Sequence, residues 1–245
     1  MSYVPMVGRP SWRTRMAVVL IMFGSPVWGA AAPTDETGRF VSTVLAQTES
    51  TWTELFREVD RAYEKPWLVL FSGSTQSACG VAQARMGPFY CAADRKIYLD
   101  PGMLEQLSRD FGAAGDIAAA YVIAHQVGHH VQNLLDRLPK APESQQGSEA
   151  AQAARLSLQL ELQADCFAGI WASRSDAARR FLEAGAARSM FDAVSAMSGK
   201  LREQSGDLVA DALNHGSVDQ RMRWFLDGFN GRILKSCDTS ATEPL

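Results

Sequence analysis

The sequence predicts an α+β fold that is mostly helix and carries a small antiparallel sheet. Three observations carry this. Apolar residues recur at helical spacing over long segments, at 40–59 and again at 116–135. Short runs such as "WLVLF", "PFYC" and "KIYLD" have the length and the β-branched and aromatic content of strands. Near the end, "SVDQ" places Ser217 as an N-cap and Gln220 three residues on, the pattern of a capping box.

The first residues do not belong to that fold. Arg9, Arg13 and Arg15 make a basic start, an apolar run broken by Gly24 and Pro26 follows, and "GAAAP" supplies small residues. Residues 1–32 therefore read as a signal peptide cut near Ala31, or as an uncleaved anchor. The run is short for a membrane span, which needs roughly 20 apolar residues. The expected location is the periplasm or the exterior, with attachment to the inner membrane through this segment as the alternative. Residues 33–245 are expected to form one domain with a full core.

Within it the elements follow in order. Phe40, Val41, Val44 and Leu45 share one helix face, and Trp52, Leu55, Phe56 and Val59 continue it until Pro66. "WLVLF" reads as a buried strand and "SGSTQSACG" as a loop. "PFYC" and "KIYLD" flank "AADR" as strand, turn and strand. "GMLEQLSRDFG" is a short helix with Met103, Leu104, Leu107 and Phe111 inside. A central helix begins after Gly115, with Asp116 as N-cap, and runs to about Leu135. It is apolar on most sides, which implies burial. "LPKAPESQQGSE" is a polar loop. Helices are expected from about Glu149 to Ala172 and between Asp176 and Gln204. The helix opened by Ser217 turns Val218, Met222, Phe225, Leu226 and Phe229 inward.

Charge and cysteine content narrow the function. Of 24 basic residues three lie in the signal, leaving 21 against 27 acidic and a net charge of −6. No basic cluster remains, so no nucleic-acid partner is expected. No second apolar stretch is long enough to span a bilayer. Four cysteines in an exported chain favour two disulfides. Cys79–Cys91 is the natural local pair, because the chain between them can fold back through Gly87 and Pro88. Cys166–Cys237 would then tie the tail to the central helices. The rival reading is a zinc–thiolate site, against which the lack of any C-x-x-C spacing weighs.

The chemistry centres on "AHQVGHHVQ". His125 and His129 are four apart, so on a helix both imidazoles lie on one face and can meet one ion. Gly128 between them costs about 1 kcal/mol of helix propensity relative to alanine, which makes sense where another helix packs closely. The next long helix carries "ELQAD", with Glu161 and Asp165 also four apart amid Leu160, Leu162, Cys166 and Phe167. Carboxylates are seldom buried unless paired or bound to metal. Two imidazoles and one carboxylate form a catalytic zinc set with a fourth position open for water. His130 points about 140° off the ligand face, at roughly 100° per residue. It reads as a packed, hydrogen-bonded histidine.

With "YVIAHQVGHHVQNLL", "LELQADCFAGIWA", "GPFYCAADRKIYLD" and "NHGSVDQRMRWF" in this order, the chain resembles the neutral zinc metallopeptidase family of bacterial exported or membrane-anchored proteins. The resemblance runs from about Phe40 to Cys237. It implies a zincin-like fold and Zn2+ held by His125 and His129, with Glu161 as third ligand. Asp165 would orient a ligand histidine, with a helix-surface carboxylate as the plainer reading. His215 is a candidate donor to the transition state, with a structural loop histidine as the plainer reading. "KIYLD" would be an edge strand to which an extended or unfolded peptide adds, or else an ordinary internal strand.

One residue departs from the family pattern, H-E-V-G-H-H. Gln126 stands where the general base belongs. Glutamine has nearly the same shape and can accept a hydrogen bond, yet it does not take a proton from water. That step is typically worth 10²–10⁴-fold. Two hypotheses arise: a zinc endopeptidase that is impaired or rescued by another base, and a pseudopeptidase that binds zinc and holds a peptide or partner protein without cutting it. A metal-free helical domain is the plain third.

Overall fold

The computed structural model describes residues 35–138, 148–183, 186–205 and 215–239. The N-terminal stretch expected to be a signal peptide lies outside them, as do Pro139, Pro142 and Gly147 of the polar loop.

Helix α1 (Asp35–Glu58) turns Val41, Val44, Trp52, Leu55 and Phe56 into the core at the predicted spacing. It ends before Pro66. Asp60 adopts a left-handed φ of 54°, and the Arg61 N–H returns to the Phe56 carbonyl at 2.9 Å. That turn throws Val59 outward, 47% exposed, so Val59 is not part of the buried stripe.

The main sheet has the order β1-β5-β4. Strand β1 (Trp67–Leu70) runs parallel to β5 (Lys96–Leu99), and β4 (Phe89–Cys91) is antiparallel to β5. The sheet is thus mixed. β5, with Ile97, Tyr98 and Leu99 buried, is its central strand and not an edge. β1 is an edge, with Trp67 74% exposed, which corrects its reading as a buried strand. The expected loop after it holds a second, two-stranded sheet, β2 (Ser74–Ser77) paired with β3 (Gly80–Gln83). The Cys79–Cys91 disulfide fastens the turn of that hairpin to β4.

Helix α2 (Pro101–Phe111) is capped by Asp100, which accepts from the Gly102 N–H at 3.0 Å, with Pro101 at the first position. The central helix α3 (Ala113–Leu134) starts three residues earlier than expected. Gly112 precedes it, and Asp116 lies in its first turn, accepting from the Ser108 hydroxyl. The remaining helices are α4 (Ser148–Arg174), α5 (Asp176–Glu183), α6 (Ala187–Ser205) and α7 (Val218–Gly231). The Ser217–Gln220 capping box opens α7 as predicted. Its buried face is Arg221, Trp224, Phe225, Gly228 and Phe229, while Val218, Met222 and Leu226 are half-buried.

α3 lies between α1, α2, α4 and α6, which explains why it is apolar on most sides. α4 and α7 touch backbone to backbone. A Cβ on Gly169 would lie 1.9 Å from the Phe225 carbonyl oxygen, and one on Gly228 would lie 1.9 Å from that of Cys166. Cys166 also pairs with Cys237, in a 3-10 turn (Leu234–Cys237) after α7. All four cysteines are therefore disulfide-bonded, and none is left for a thiolate metal site. Two disulfides indicate a non-cytoplasmic environment. Among the described residues no helix is long and apolar enough to cross a membrane.

Candidate metal centre

The site forms where α3 crosses α4. Gly128 allows the crossing, since a Cβ there would lie 3.0 Å from both the Cα and the carbonyl oxygen of Ala164. The close approach brings His125 and His129 of α3 against Glu161 of α4. His125 Nε2 is 3.2 Å from Glu161 Oε2, and His129 Nε2 is 3.5 Å from Glu161 Oε1. One donor atom from each residue lies within 4.8 Å of the other two, an arrangement that could hold a metal ion.

Each histidine is held through its other nitrogen. His125 Nδ1 donates to Asp165 Oδ1 at 2.8 Å. His129 Nδ1 is 2.9 Å from Gln132 Oε1. Both contacts turn Nε2 toward the shared space, the orientation a metal-bound histidine needs.

The family model described as "Putative neutral zinc metallopeptidase" matches residues 25–240. This chain belongs to that family. It is 42% identical over 207 residues to the protein named YpfJ of Escherichia coli strain K12, covering 84% of this chain and 72% of YpfJ. It is 33% identical over 222 residues to the protein named Rv2575 of Mycobacterium tuberculosis strain H37Rv, covering 86% of this chain and 74% of that one. No solved structure matches it.

Against the metallopeptidase pattern H-E-V-G-H-H, the second position here is Gln126. It is buried beside His125 and lines a small pocket with Tyr121, His215 and Arg221. Its Oε1 has no hydrogen-bond partner in the protein.

Asp165 is the hub beneath the site. It is fully buried and accepts from His125, from the Tyr121 hydroxyl, and from Arg221 Nε at 3.1 Å. Arg221 Nη2 also donates to the Tyr121 oxygen at 2.6 Å. Burial opposes ionisation of Asp165, but Arg221 and then His125 outweigh it and hold the carboxyl below its usual value. Burial likewise keeps Tyr121 protonated and able to donate. For His125, burial acts downward, yet Asp165 and Glu161 prevail and push its pKa up to about 9. Burial would raise Glu161, but His129 first, then His125 and His215, hold it well below the ordinary range.

His215, just before α7, reaches the site through Nδ1, which contacts Glu161 Oε2. Burial lowers its pKa, against an upward pull from Glu161. His130 points away from the cluster. Its Nε2 donates to the Glu64 carbonyl at 2.6 Å and its Nδ1 accepts from the Tyr90 hydroxyl at 3.0 Å.

Four participants were missed in the sequence. Tyr121 lies one turn before His125 on the same face, so its spacing was available as a signal. Arg221 sits four residues before Phe225 on the inward stripe of α7, where a charge needs a buried partner. Gln132 and Gln163 are polar residues at buried positions of α3 and α4. Only the other helix supplies their reasons.

Proposed function

We propose that this protein is an exported zinc protein built as a peptidase, whose peptide-bond hydrolysis is impaired or lost because Gln126 replaces the general base. The donor set suits zinc: two imidazole Nε2 atoms turned inward by the bonds of Asp165 and Gln132 to the other nitrogens, plus one carboxylate, leaving a coordination position for water or substrate. His125, His129 and Glu161 would hold the ion. Bound there, zinc would acidify water and polarise a carbonyl.

The chain's own groups decide how far hydrolysis can go. Gln126 lies in the pocket beside His125, and an unpartnered amide oxygen can accept a hydrogen bond and orient a water. It does not carry the proton on to a leaving amine. With Nδ1 spent on Glu161, His215 has only Nε2 left to offer. We therefore assign it to steadying Glu161 rather than to donating to a transition state.

The partner in this reading is an extended peptide or an unfolded protein segment. β4 is the relevant edge, in place of the internal β5. It pairs with β5 on one side, and Tyr90 on it contacts His130 and Asn133 of α3. Pro88, just before it, lines the pocket at the site. An added strand would lie there through main-chain hydrogen bonds. Export rests on the N-terminal pattern and the two disulfides, and any membrane association on that N-terminal segment alone.

A second reading is slow hydrolysis with His215 Nε2 as substitute base, favoured by its place in the same pocket as Gln126. The test is hydrolysis of unfolded casein by protein carrying one zinc per chain, with and without chelator. Absence of cleavage supports the first reading. Chelator-sensitive cleavage that is lost in both His125→Ala and His215→Ala supports the second. A chain that takes up no zinc contradicts both.

A further inference from the structure

Two fully buried glutamines connect the metal centre to a disulfide. Gln132 is 0% exposed and Gln163 is 3% exposed. Gln132 Nε2 donates to the Leu160 carbonyl at 2.7 Å and to Gln163 Oε1 at 3.2 Å. Gln163 Nε2 donates to the Cys237 carbonyl at 2.7 Å. An amide costs free energy to bury unless its polar atoms are matched, so two of them in a helical core need a reason.

The direction of the chain is forced. Backbone carbonyls only accept, so Leu160 and Cys237 each demand the NH2 end of the glutamine that meets them. Gln163 then shows its oxygen to Gln132, and Gln132 shows its oxygen to His129 Nδ1, 2.9 Å away. His129 must therefore carry a proton on Nδ1, which turns Nε2 toward Glu161 and the shared space. His125 reaches the same state through a carboxylate; His129 reaches it through a neutral relay. The far end is anchored, since Cys237 is bonded to Cys166, less than one turn beyond Gln163 on α4. Gln159 donates to the Thr239 carbonyl at 3.3 Å, so one face of α4 holds both Cys237 and Thr239.

We propose that Gln132 and Gln163 are positioning residues for His129, and that the Cys166–Cys237 disulfide anchors their relay, so that metal affinity depends on the closed disulfide. The inference rests on His129 being a ligand. Metal-linked histidines commonly lose about 10–100-fold in affinity when the partner of the other nitrogen is removed.

The experiment measures the zinc dissociation constant of the full chain by chelator competition. Native protein is compared with Gln132→Leu, Gln163→Met and the Cys166→Ser/Cys237→Ser double variant. In parallel, 15N NMR of metal-free native protein reads the His129 tautomer and needs no variant to fold. The expected results are Nδ1–H at His129, about 10–100-fold weaker zinc binding for Gln132→Leu, and a smaller loss for the other two. Variants that melt earlier but bind zinc as the native protein does would make the glutamines structural filler and overturn the proposal. So would an Nδ1 without a proton at native His129. A native chain that binds no zinc would overturn it too, by removing the reading of His129 as a ligand, and the tautomer measurement tells that failure from the others.

Discussion

Asp165 accepts a 2.8 Å hydrogen bond from His125 Nδ1 in a place with no solvent exposure, and balances the buried Arg221 at 3.1 Å with its other oxygen. Asp165→Asn removes the charge that serves both partners. Zinc affinity should fall by about 10–100-fold as His125 loses its orientation. Stability should fall by about 3–5 kcal/mol, because Arg221 is left buried without a counter-charge. Chelator competition and urea unfolding of the metal-free protein measure the two effects separately.

The crossing of α3 and α4 depends on a missing side chain. Gly128→Val puts atoms against the Cα and carbonyl of Ala164, where a Cβ alone would already lie at 3.0 Å. Any gain in helix propensity from replacing glycine is at most about 1 kcal/mol. Overpacking typically costs about 1–3 kcal/mol, so net destabilisation is expected. Because the same crossing sets the distance from His125 and His129 to Glu161, zinc affinity should fall with it. Thermal melts with and without zinc would show the shift induced by zinc shrinking in the variant.

Metal-free and zinc-loaded protein should respond to pH in opposite senses above neutrality. The pKa of His125 in the metal-free site is raised to about 9, from about 6.5 in an unfolded chain. Its contribution is therefore complete below pH 6.5 and is lost as pH climbs through 9. Glu161 and Asp165 have depressed values, so their contribution is present above the ordinary carboxylate range and is lost on acidification. Zinc must displace the His125 proton, so zinc binding strengthens with pH up to about 9. Urea unfolding between pH 5 and 9, with and without chelator, checks both slopes. Calorimetry in buffers of different ionisation enthalpy checks the proton release.

The two disulfides should differ in weight. Cys166–Cys237 closes 71 residues and Cys79–Cys91 closes 12. The chain-entropy model assigns them about 4 and about 3 kcal/mol. Paired Cys→Ser variants unfolded in urea should show the larger loss for Cys166–Cys237.

What the sequence made legible were features written into local spacing. The α1 stripe, the Ser217–Gln220 box, the facing pair His125 and His129, and the Glu161/Asp165 pair all come from helical period alone. Gly128 announced a close neighbour, and the structure identifies it as Ala164. The β2–β3 hairpin was not legible, because "STQS" has no apolar alternation. Backbone pairing and the Cys79–Cys91 bond hold it instead. Nor was the strand order. β1 pairs with β5 across an intervening hairpin, a long-range choice that leaves no mark in "KIYLD". Arg221, Gln132 and Gln163 stayed hidden for a related reason. Each is a polar residue at a core position that also bonds across to another element.

The most direct test of the account compares native protein with Gln126→Glu, both carrying one zinc per chain, on unfolded casein with and without chelator. Chelator-sensitive hydrolysis should rise by about 10²–10⁴-fold in Gln126→Glu over a native rate at or near background. Equal rates for the two proteins would contradict this, and equal rates well above background would place the proton acceptor elsewhere in the pocket.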